Sequence, residues 1–290
     1  MRAIYAAADS IIQDQVASER EVSQVLEFSR PAFQRWKQSS PGFRAKGDSE
    51  LLPVVMSIFH AHRRRYGSRR IAEELRHRGY ACGRDRVATL MKIAGLKAIQ
   101  PKSFKPRSTE SRHSLGYSPN LILELAEPAR INELWVGDIT YIPVTSNGFC
   151  YLSTLMDRFS RRIIGWTLGD GMTESLVTSS LKQAISARQP PLHVIHHTDR
   201  GGQYAATRYR AILRRASMRQ SMSRPGDCYD NAFMESCFGT IKIELEMTEY
   251  QTYRMALKDI AEYIRYYNIE RRHSSIGYLS PSQFEAASTC

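Results

Sequence analysis

The apolar positions along the chain change character near residue 133. Before it they recur at helical spacing. Val22, Val25 and Leu26 form one short stripe, and Phe33 and Trp36 continue an i, i+3 face after a turn. Ser29 is placed to cap the second of these helices, and Pro31 falls in its first turn, where a missing N–H costs little. Residues 20–38 therefore predict two short helices joined by a turn, the outline of a helix-turn-helix. Residues 40–47, SPGFRAKG, read as a linker. Leu51, Val54, Val55 and Ile58 predict another helix. Ile71 and Leu75 predict a second, capped by Ser68, and Val87, Leu90, Met91 and Ala94 a third, stopped by Gly95. Arg78-Gly79-Tyr80 forms the turn between those two. Residues 99–130 are rich in Pro, Ser and Lys and read as a basic connector.

From residue 133 the pattern is β-branched and aromatic. ELWVGDITYIPV predicts a strand, Asn147-Gly148 a hairpin turn, FCYLSTLMD a second strand and RRIIGWTLGD a third. Residues 173–188 form an amphipathic helix, and LHVIHHTD (192–199) a short buried strand. TRYRAILRRAS (207–217) is a helix and MRQSMS a fifth strand. Asp230 caps a helix running to about Leu245, and residues 249–267 form a last helix with Tyr253, Leu257, Ile260 and Ile264 inside. Three antiparallel strands followed by alternating helices and strands predict an α/β fold with a mixed sheet, preceded by all-α modules.

Composition and charge sharpen this picture. At 290 residues the chain has room for about two domains, and 42% apolar residues suffice for a core. No apolar run approaches the length of a membrane span, and Asp9 and Asp14 spoil the N-terminus as a secretory signal. Five cysteines without a C-x-x-C pair argue against a disulfide framework and suit a reducing cytoplasm. The net charge is +12, but residues 1–130 hold 23 basic and 13 acidic side chains, against 18 and 16 in residues 131–290. A basic block beside a nearly neutral domain points to a polyanion-binding module. Arg84 and Arg86 open a helix, where a recognition helix presents side chains to DNA, and Arg63, Arg64, Arg65, Arg69 and Arg70 are suited to phosphate contacts.

Three acidic residues stand out by position. Asp138 lies mid-strand on the face of Val136, Ile142 and Val144, where a lone carboxylate costs several kcal/mol unless paired, protonated or metal-bound. Asp199 ends a buried strand, where open α/β sheets place their sites. Glu235 lies one turn into a helix whose apolar stripe is Met234, Cys237, Phe238, Ile241 and Leu245. Asn231, Glu235 and Lys242 share the edge of that stripe. Carboxylates with open positions suit Mg²⁺ or Mn²⁺. Three of them can hold two ions for in-line phosphoryl displacement, and a nearby lysine suits a phosphate backbone.

At these residues the sequence resembles the OrfB-type transposases of the insertion-sequence-three family, DDE enzymes of the retroviral-integrase superfamily. The resemblance runs from about residue 20 to residue 284. It rests on WVGDITYI around Asp138, HHTDRGGQY around Asp199, DNAFMESCFGTIK around Glu235 and Lys242, and the tail YIRYYNIERRHSSIGYLSP. Sixty residues separate the aspartates and 35 separate Asp199 from Glu235, the D-D-35-E spacing of the family. Thr198 stands where serine is common, and Gly202 is a mild variant. The resemblance implies an RNase H-like catalytic core over 131–247, with Asp138, Asp199 and Glu235 as catalytic metal ligands. Around it are a helix-turn-helix-like segment over 1–45, a second over 50–98, a basic linker over 99–130, and a C-terminal helix and tail over 248–290. It implies Mg²⁺-dependent cleavage at the element's ends that frees a 3′-hydroxyl, strand transfer into target DNA, and recognition of terminal inverted repeats. It further implies a partner or fusion partner from an upstream reading frame and a homo-oligomer on DNA, acting in a bacterial cytoplasm without a membrane.

Other residues keep two readings at this stage. Arg200, Gly201, Gly202 and Gln203 either cradle phosphate or form a turn. His196 and His197 either assist catalysis or pack. Tyr204, Tyr263, Tyr266 and Tyr267 suit core packing better than base stacking. Asp157 and Asp227 look like turn residues. Arg271, Arg272 and His273 either contact DNA or cap the final helix. His60, His62, His77 and Cys82 supply only one cysteine, so no structural zinc is expected. Two rival functions are a non-catalytic DNA-binding regulator of the element, against which the intact triad speaks, and an RNase H-like nuclease on RNA–DNA hybrids, against which the helix-turn-helix modules speak.

Overall fold

Residues 2–14, 16–38, 43–100, 116–123, 125–145, 148–224, 232–246 and 249–288 are described by the computed structural model. They part into two compact units, Met1–Lys97 and Ala98–Cys290.

Unit one is helical: α1 (Arg2–Gln13), α2 (Glu19–Val25), α3 (Arg30–Gln38), α4 (Phe43–Ala61), α5 (Ser68–His77) and α6 (Arg84–Ile93). Helix α1 was not expected. Its Tyr5 and Ala8 complete a small aromatic core with Val22, Phe28 and Phe33. Val25, placed in the stripe of α2, is instead 79% exposed, because a seven-residue helix buries only the turn facing Phe28 and Phe33. Ser18 and Glu21 start α2 with a reciprocal capping box. Pro31 lies in the first turn of α3, as expected. The expected linker over 40–47 is shorter, since α4 begins at Phe43 and takes in residues 43–47. The N-cap of α5 is Gly67 rather than Ser68, which is already helical. Leu51, Val55, Ile58, Ile71, Leu75, Val87 and Leu90 fill the second core, as their spacing predicts. Gly79 (φ +84) and Gly95 (φ +66) end α5 and α6 in left-handed conformations open to glycine at no steric cost.

Unit two holds β1 (Leu134–Val144), β2 (Gly148–Asp157), β3 (Ile163–Gly169), α7 (Glu174–Arg188), β4 (Ile195–Thr198), α8 (Gly202–Ala205), α9 (Thr207–Arg215), β5 (Arg219–Met222), α10 (Ala232–Glu244), α11 (Tyr253–Ile269) and α12 (Pro281–Ser288). The sheet order is β3-β2-β1-β4-β5, antiparallel from β1 to β3 and parallel from β1 to β5. This is the mixed sheet that the strand pattern predicts. Trp135, Leu155 and Ile164 turn one face toward Val177 and Leu181 of α7 and Tyr209 and Leu213 of α9. Val136, Asp138 and Ile142 leave the other face by the two-residue period. Helices α10 and α11 both pack against β1.

Part of the expected linker is structural. Ser118 donates to Gln220 Oε1 (2.8 Å) and the Leu121 N–H to Ser221 Oγ (2.9 Å), so residues 118–121 cover the outer edge of β5. On α11, Ile260 and Ile264 are buried as expected and Tyr253 is half-buried. Leu257, expected inside, is 36% exposed, because the buried stripe runs through Ala256, Ile260, Tyr263 and Tyr267 instead. The tail forms α12, which packs on α11 and was not anticipated. Asn147, Asp227, Asp230 and Asn231, read as turn, turn, cap and site residues, lie outside the described residues. No helix among the described residues is long and apolar enough to cross a membrane.

Candidate active site

The parallel register brings the two aspartates together. Val136 pairs with His197 across β1 and β4, so Asp138 and Asp199 each stand two residues further toward the same end. Gly137 permits the close approach of these strands. A Cβ there would lie 2.9 Å from His196 Cε1. Past Thr198 the chain leaves the sheet, and the Gly201 N–H donates to Asp199 Oδ1 (3.0 Å), which orients the carboxylate. A Cβ on Gly201 would stand 2.7 Å from Gln203 Oε1 and 3.1 Å from that same Asp199 oxygen, so the turn is fitted to the carboxylate.

Burial is the largest cause that holds the Asp138 carboxyl well above the usual range. The Asp199 charge adds to it and Glu235 adds less, while the Ile139 N–H (2.7 Å) and Lys242 oppose. Burial also raises Asp199, against the Gly201 hydrogen bond. Lys242 is lowered by burial, with Asp138 pulling it back, and its Nζ lies 4.1 Å from the centre of the Tyr141 ring. Asp138, Asp199, Glu235 and Lys242, predicted from the sequence, therefore share one electrostatic site. Glu235 itself is exposed on α10. Among the described residues no three acidic, histidine or cysteine side chains converge tightly enough to close a metal site. The half-buried aspartate pair nonetheless has the right chemistry for a divalent cation. It presents hard oxygen donors whose mutual repulsion a cation would relieve.

The remaining candidates fall elsewhere. Arg200 Nε donates to the Ser223 carbonyl (2.7 Å) and its guanidinium lies 4.5 Å from the Tyr117 ring centre. His196 is buried, shares a 2.6 Å hydrogen bond with Tyr209, and is pushed down to about 3 by burial, so it is neutral and part of the core. His197 bonds Ser221 (2.8 Å) and Ser223 (3.2 Å). Tyr204, Tyr263, Tyr266 and Tyr267 are core residues, as expected. Asp157 accepts from the Phe159 and Ser160 N–H groups, the turn role read from sequence. In unit one, Arg69 and Arg84 are exposed, Arg70 lies 5.6 Å over Tyr66, and Arg86 is held by Asp48 at 2.6 Å.

Arg271 neither contacts a surface nor caps a helix. It is 4% exposed and bonds Glu244 of α10 at 2.7 Å, with the Tyr263 hydroxyl donating to the same carboxylate at 3.1 Å. Arg272 donates to the Tyr278 carbonyl (2.9 Å), and His273 is buried beside Arg271. A second network joins Glu285 of α12 to Arg162 (2.6 Å), Arg188 (2.8 Å) and Ser160 (2.7 Å). Sequence reasoning missed both networks. The available signal was Glu244 at an apolar position, three residues after Ile241.

Models of the integrase core domain match residues 128–228 and 216–281, and a model of an HTH-like domain matches residues 46–104. The transposase InsF of insertion sequence IS3A from Escherichia coli (strain K12) is 38% identical over 274 residues, covering 92% of this chain and 93% of InsF. The transposase of IS904 from Lactococcus lactis is 39% identical over 237 residues, covering 81% of this chain and 93% of that protein. Among solved structures, the HTLV-2 integrase catalytic core domain in complex with magnesium (trimeric form) matches with a TM-score of 0.43 at 19% identity, over 54% of this chain and 98% of that one. The simian T-cell lymphotropic virus intasome in complex with a PP2A regulatory subunit gives 0.47 at 16% identity, over 81% and 74%. With an integrase core, an HTH-like domain and transposase relatives spanned over nearly their whole length, the chain belongs to the IS3 family of DDE transposases.

Proposed function

We propose that Asp138, Asp199 and Glu235 are the catalytic acids and metal ligands of a reaction that cleaves DNA at the ends of the element and joins the freed 3′-hydroxyls to target DNA. The observation that carries this reading is the half-buried Asp138–Asp199 pair, in which the Asp199 charge raises Asp138 and neither forms an ion pair with arginine among the described residues. Asp138 and Asp199 would hold Mg²⁺ or Mn²⁺ from two adjacent strands, and Glu235 would complete the site from α10. Bound there, two such ions supply Lewis-acid stabilisation of the attacking and leaving oxygens. Lys242 offsets the charge of a phosphate beside the acids. His196, neutral and enclosed, holds β1 and β4 in place and takes no proton. In unit one, Arg69, Arg70 and Arg84 would contact phosphates of the terminal inverted repeats, with Arg86 committed to Asp48. Two DNA ends acted on together call for a homo-oligomer, and the product of an upstream reading frame, separate or fused, is the expected partner on DNA in the cytoplasm.

The test is Mg²⁺-dependent nicking and strand transfer on labelled DNA carrying the element's own ends, with wild type, Asp199→Asn and Glu235→Gln. Activity in wild type alone, with DNA binding retained by the variants in a mobility-shift assay, supports the assignment. Normal cleavage by Glu235→Gln refutes the triad. If all three are inactive yet bind specifically, fusing the upstream product distinguishes a missing partner, which restores wild type only, from a regulator, which stays inactive.

A further inference from the structure

Residues 200–224 hold seven of the 18 basic side chains of residues 131–290 and none of the 16 acidic ones. The rest of residues 131–290 is therefore net acidic, and the positive charge is gathered on the crossover from β4 to β5. Helix α9 carries four of the seven: Arg208, Arg210, Arg214 and Arg215. At about 100° per residue, its buried Tyr209 and Leu213 define the inner face. The four arginines span the arc opposite, with Thr207 and Ala211 between them. Arg208, Arg214 and Arg215 are exposed, and none of the four forms an ion pair among the described residues. Arg210 donates to the Gly116 carbonyl.

This face is unfavourable for the chain alone. Arg208 lies in the first turn of α9, where the helix dipole opposes positive charge. Arg210 and Arg214 are i, i+4 neighbours of like charge. A polyanion relieves both. Arg210 and Arg214 also line a cleft of about 440 Å³ with Thr207 and Gln220. Guanidinium, hydroxyl and amide donors together suit phosphate oxygens. Strands β4 and β5 are parallel, so α9 runs back between them, and its first turn lies at the end of β4 that leads to Asp199. From Arg208 to Arg215 the face extends about 10 Å along the helix, a length over which duplex DNA presents several phosphates.

We propose that the outer face of α9, through Arg208, Arg210, Arg214 and Arg215, binds the phosphate backbone of the target duplex. Arginine contacts to phosphate fix position without reading sequence. Of the two DNA partners in the reaction, the element's ends must be read and the target need not be. The inference rests on the strand-transfer reading given above and adds a DNA surface in unit two to the arginines of unit one.

The experiment compares the full wild-type chain with Arg208→Gln/Arg215→Gln, Arg210→Gln/Arg214→Gln, the quadruple variant, and a control, Arg254→Gln/Lys258→Gln, which removes two exposed charges from α11. Fluorescence anisotropy measures binding to a random-sequence duplex across a salt series. Each phosphate contact contributes about 0.9 to the slope of log affinity against log salt, so each α9 double variant should lower that slope by about 2 and the quadruple variant by about 3–4. The quadruple variant should bind the random duplex at least about 10-fold more weakly at 0.1 M salt, and the control should match wild type. Binding to a duplex carrying the element's ends, under excess random competitor, and nicking of it should be unchanged. Strand transfer should need more target DNA yet reach the same maximal rate. Wild-type slopes in the quadruple variant, or an equal loss in the control, overturn the inference. Loss of end binding and nicking with random-duplex binding kept overturns the assignment to target DNA. An inactive wild type counts against the strand-transfer reading alone, and the random-duplex slopes still decide this one. If the quadruple variant fails to fold by circular dichroism, the two α9 double variants carry the same prediction and the same refutation.

Discussion

Helix α10 carries Glu235 near its start and Glu244 at its last turn, and the second of these is locked to Arg271. The carboxylate and guanidinium are 6% and 4% exposed, and three nitrogen–oxygen contacts of 2.7–3.0 Å join them. Arg271→Met leaves Glu244 charged and buried without its guanidinium partner, the Tyr263 hydroxyl still donating to it. Glu244→Gln leaves the guanidinium charged and buried without a counterion. Removing one partner of such a pair costs about 3–5 kcal/mol, so each single variant should lose about 6–20 °C in the melting of a unit this large. The double variant strands no charge, and the amide oxygen introduced by Glu244→Gln still accepts from Tyr263. Its loss should be about 1–3 kcal/mol, the cost of imperfectly satisfied polar groups. The sum of the singles is about 6–10 kcal/mol, so a coupling of at least about 3 kcal/mol separates the cases. Urea denaturation followed by tryptophan fluorescence measures it, since Trp135 and Trp166 lie in this unit. A double variant as unstable as the sum of the singles would refute the pair as a coupled anchor of α10.

Three further outcomes follow from the same geometry. His196 is neutral when folded, with its value pushed down to about 3, so its contribution is intact above its unfolded value near 6.5 and is lost as pH falls toward 3. That is about 2 kcal/mol by pH 5, and a wild-type stability slope between pH 7 and 4 no steeper than that of His196→Gln would contradict it. Asp199→Asn should raise the melting temperature in EDTA, because it removes a charge that holds Asp138 up; a lower melting temperature counts against a repelling pair. Gly165→Ala pushes a methyl against the Ser180 carbonyl and within 2.9 Å of Ala184 Cβ where β3 meets α7, and should cost about 1–3 kcal/mol by thermal denaturation; a neutral effect would show that this contact can relax.

What the sequence made legible were the features with a period or a spacing. Asp138 stood out because a strand alternates strictly, so a carboxylate among Val136, Ile142 and Val144 breaks a rule. The stripes of α5 and α6 were equally clear, and glycine marked where each ended. Helix α1 was hidden because its apolar residues, half of them alanine, gain meaning only against Phe28 and Phe33. Glu244, Arg271 and Glu285 were hidden for another reason. A buried charge looks like a surface charge until its partner is placed, and the partner of Glu244 is 27 positions away. Val25 and Leu257 show the converse, since an apolar residue at the margin of a stripe can face water when the helix is short or its contact narrow.

The buried glutamates and the half-buried aspartates of this unit are treated differently by the fold, and that difference separates structure from chemistry. Glu244 and Glu285 are met by arginines at 2.6–2.8 Å, with hydroxyls from Tyr263 and Ser160 filling the remaining positions. Asp138 and Asp199 receive one backbone N–H each and have no ion pair to arginine among the described residues; the Asp199 charge raises Asp138, and the half-buried Lys242 opposes the charge of Asp138. A fold able to place Arg188 on Glu285 and Arg271 on Glu244 has the means to neutralise an aspartate pair. Leaving the pair without an arginine keeps a destabilising concentration of negative charge at the end of β1 and β4. Such a concentration persists where something absent from the chain itself, a divalent cation and the phosphate it engages, relieves it on binding.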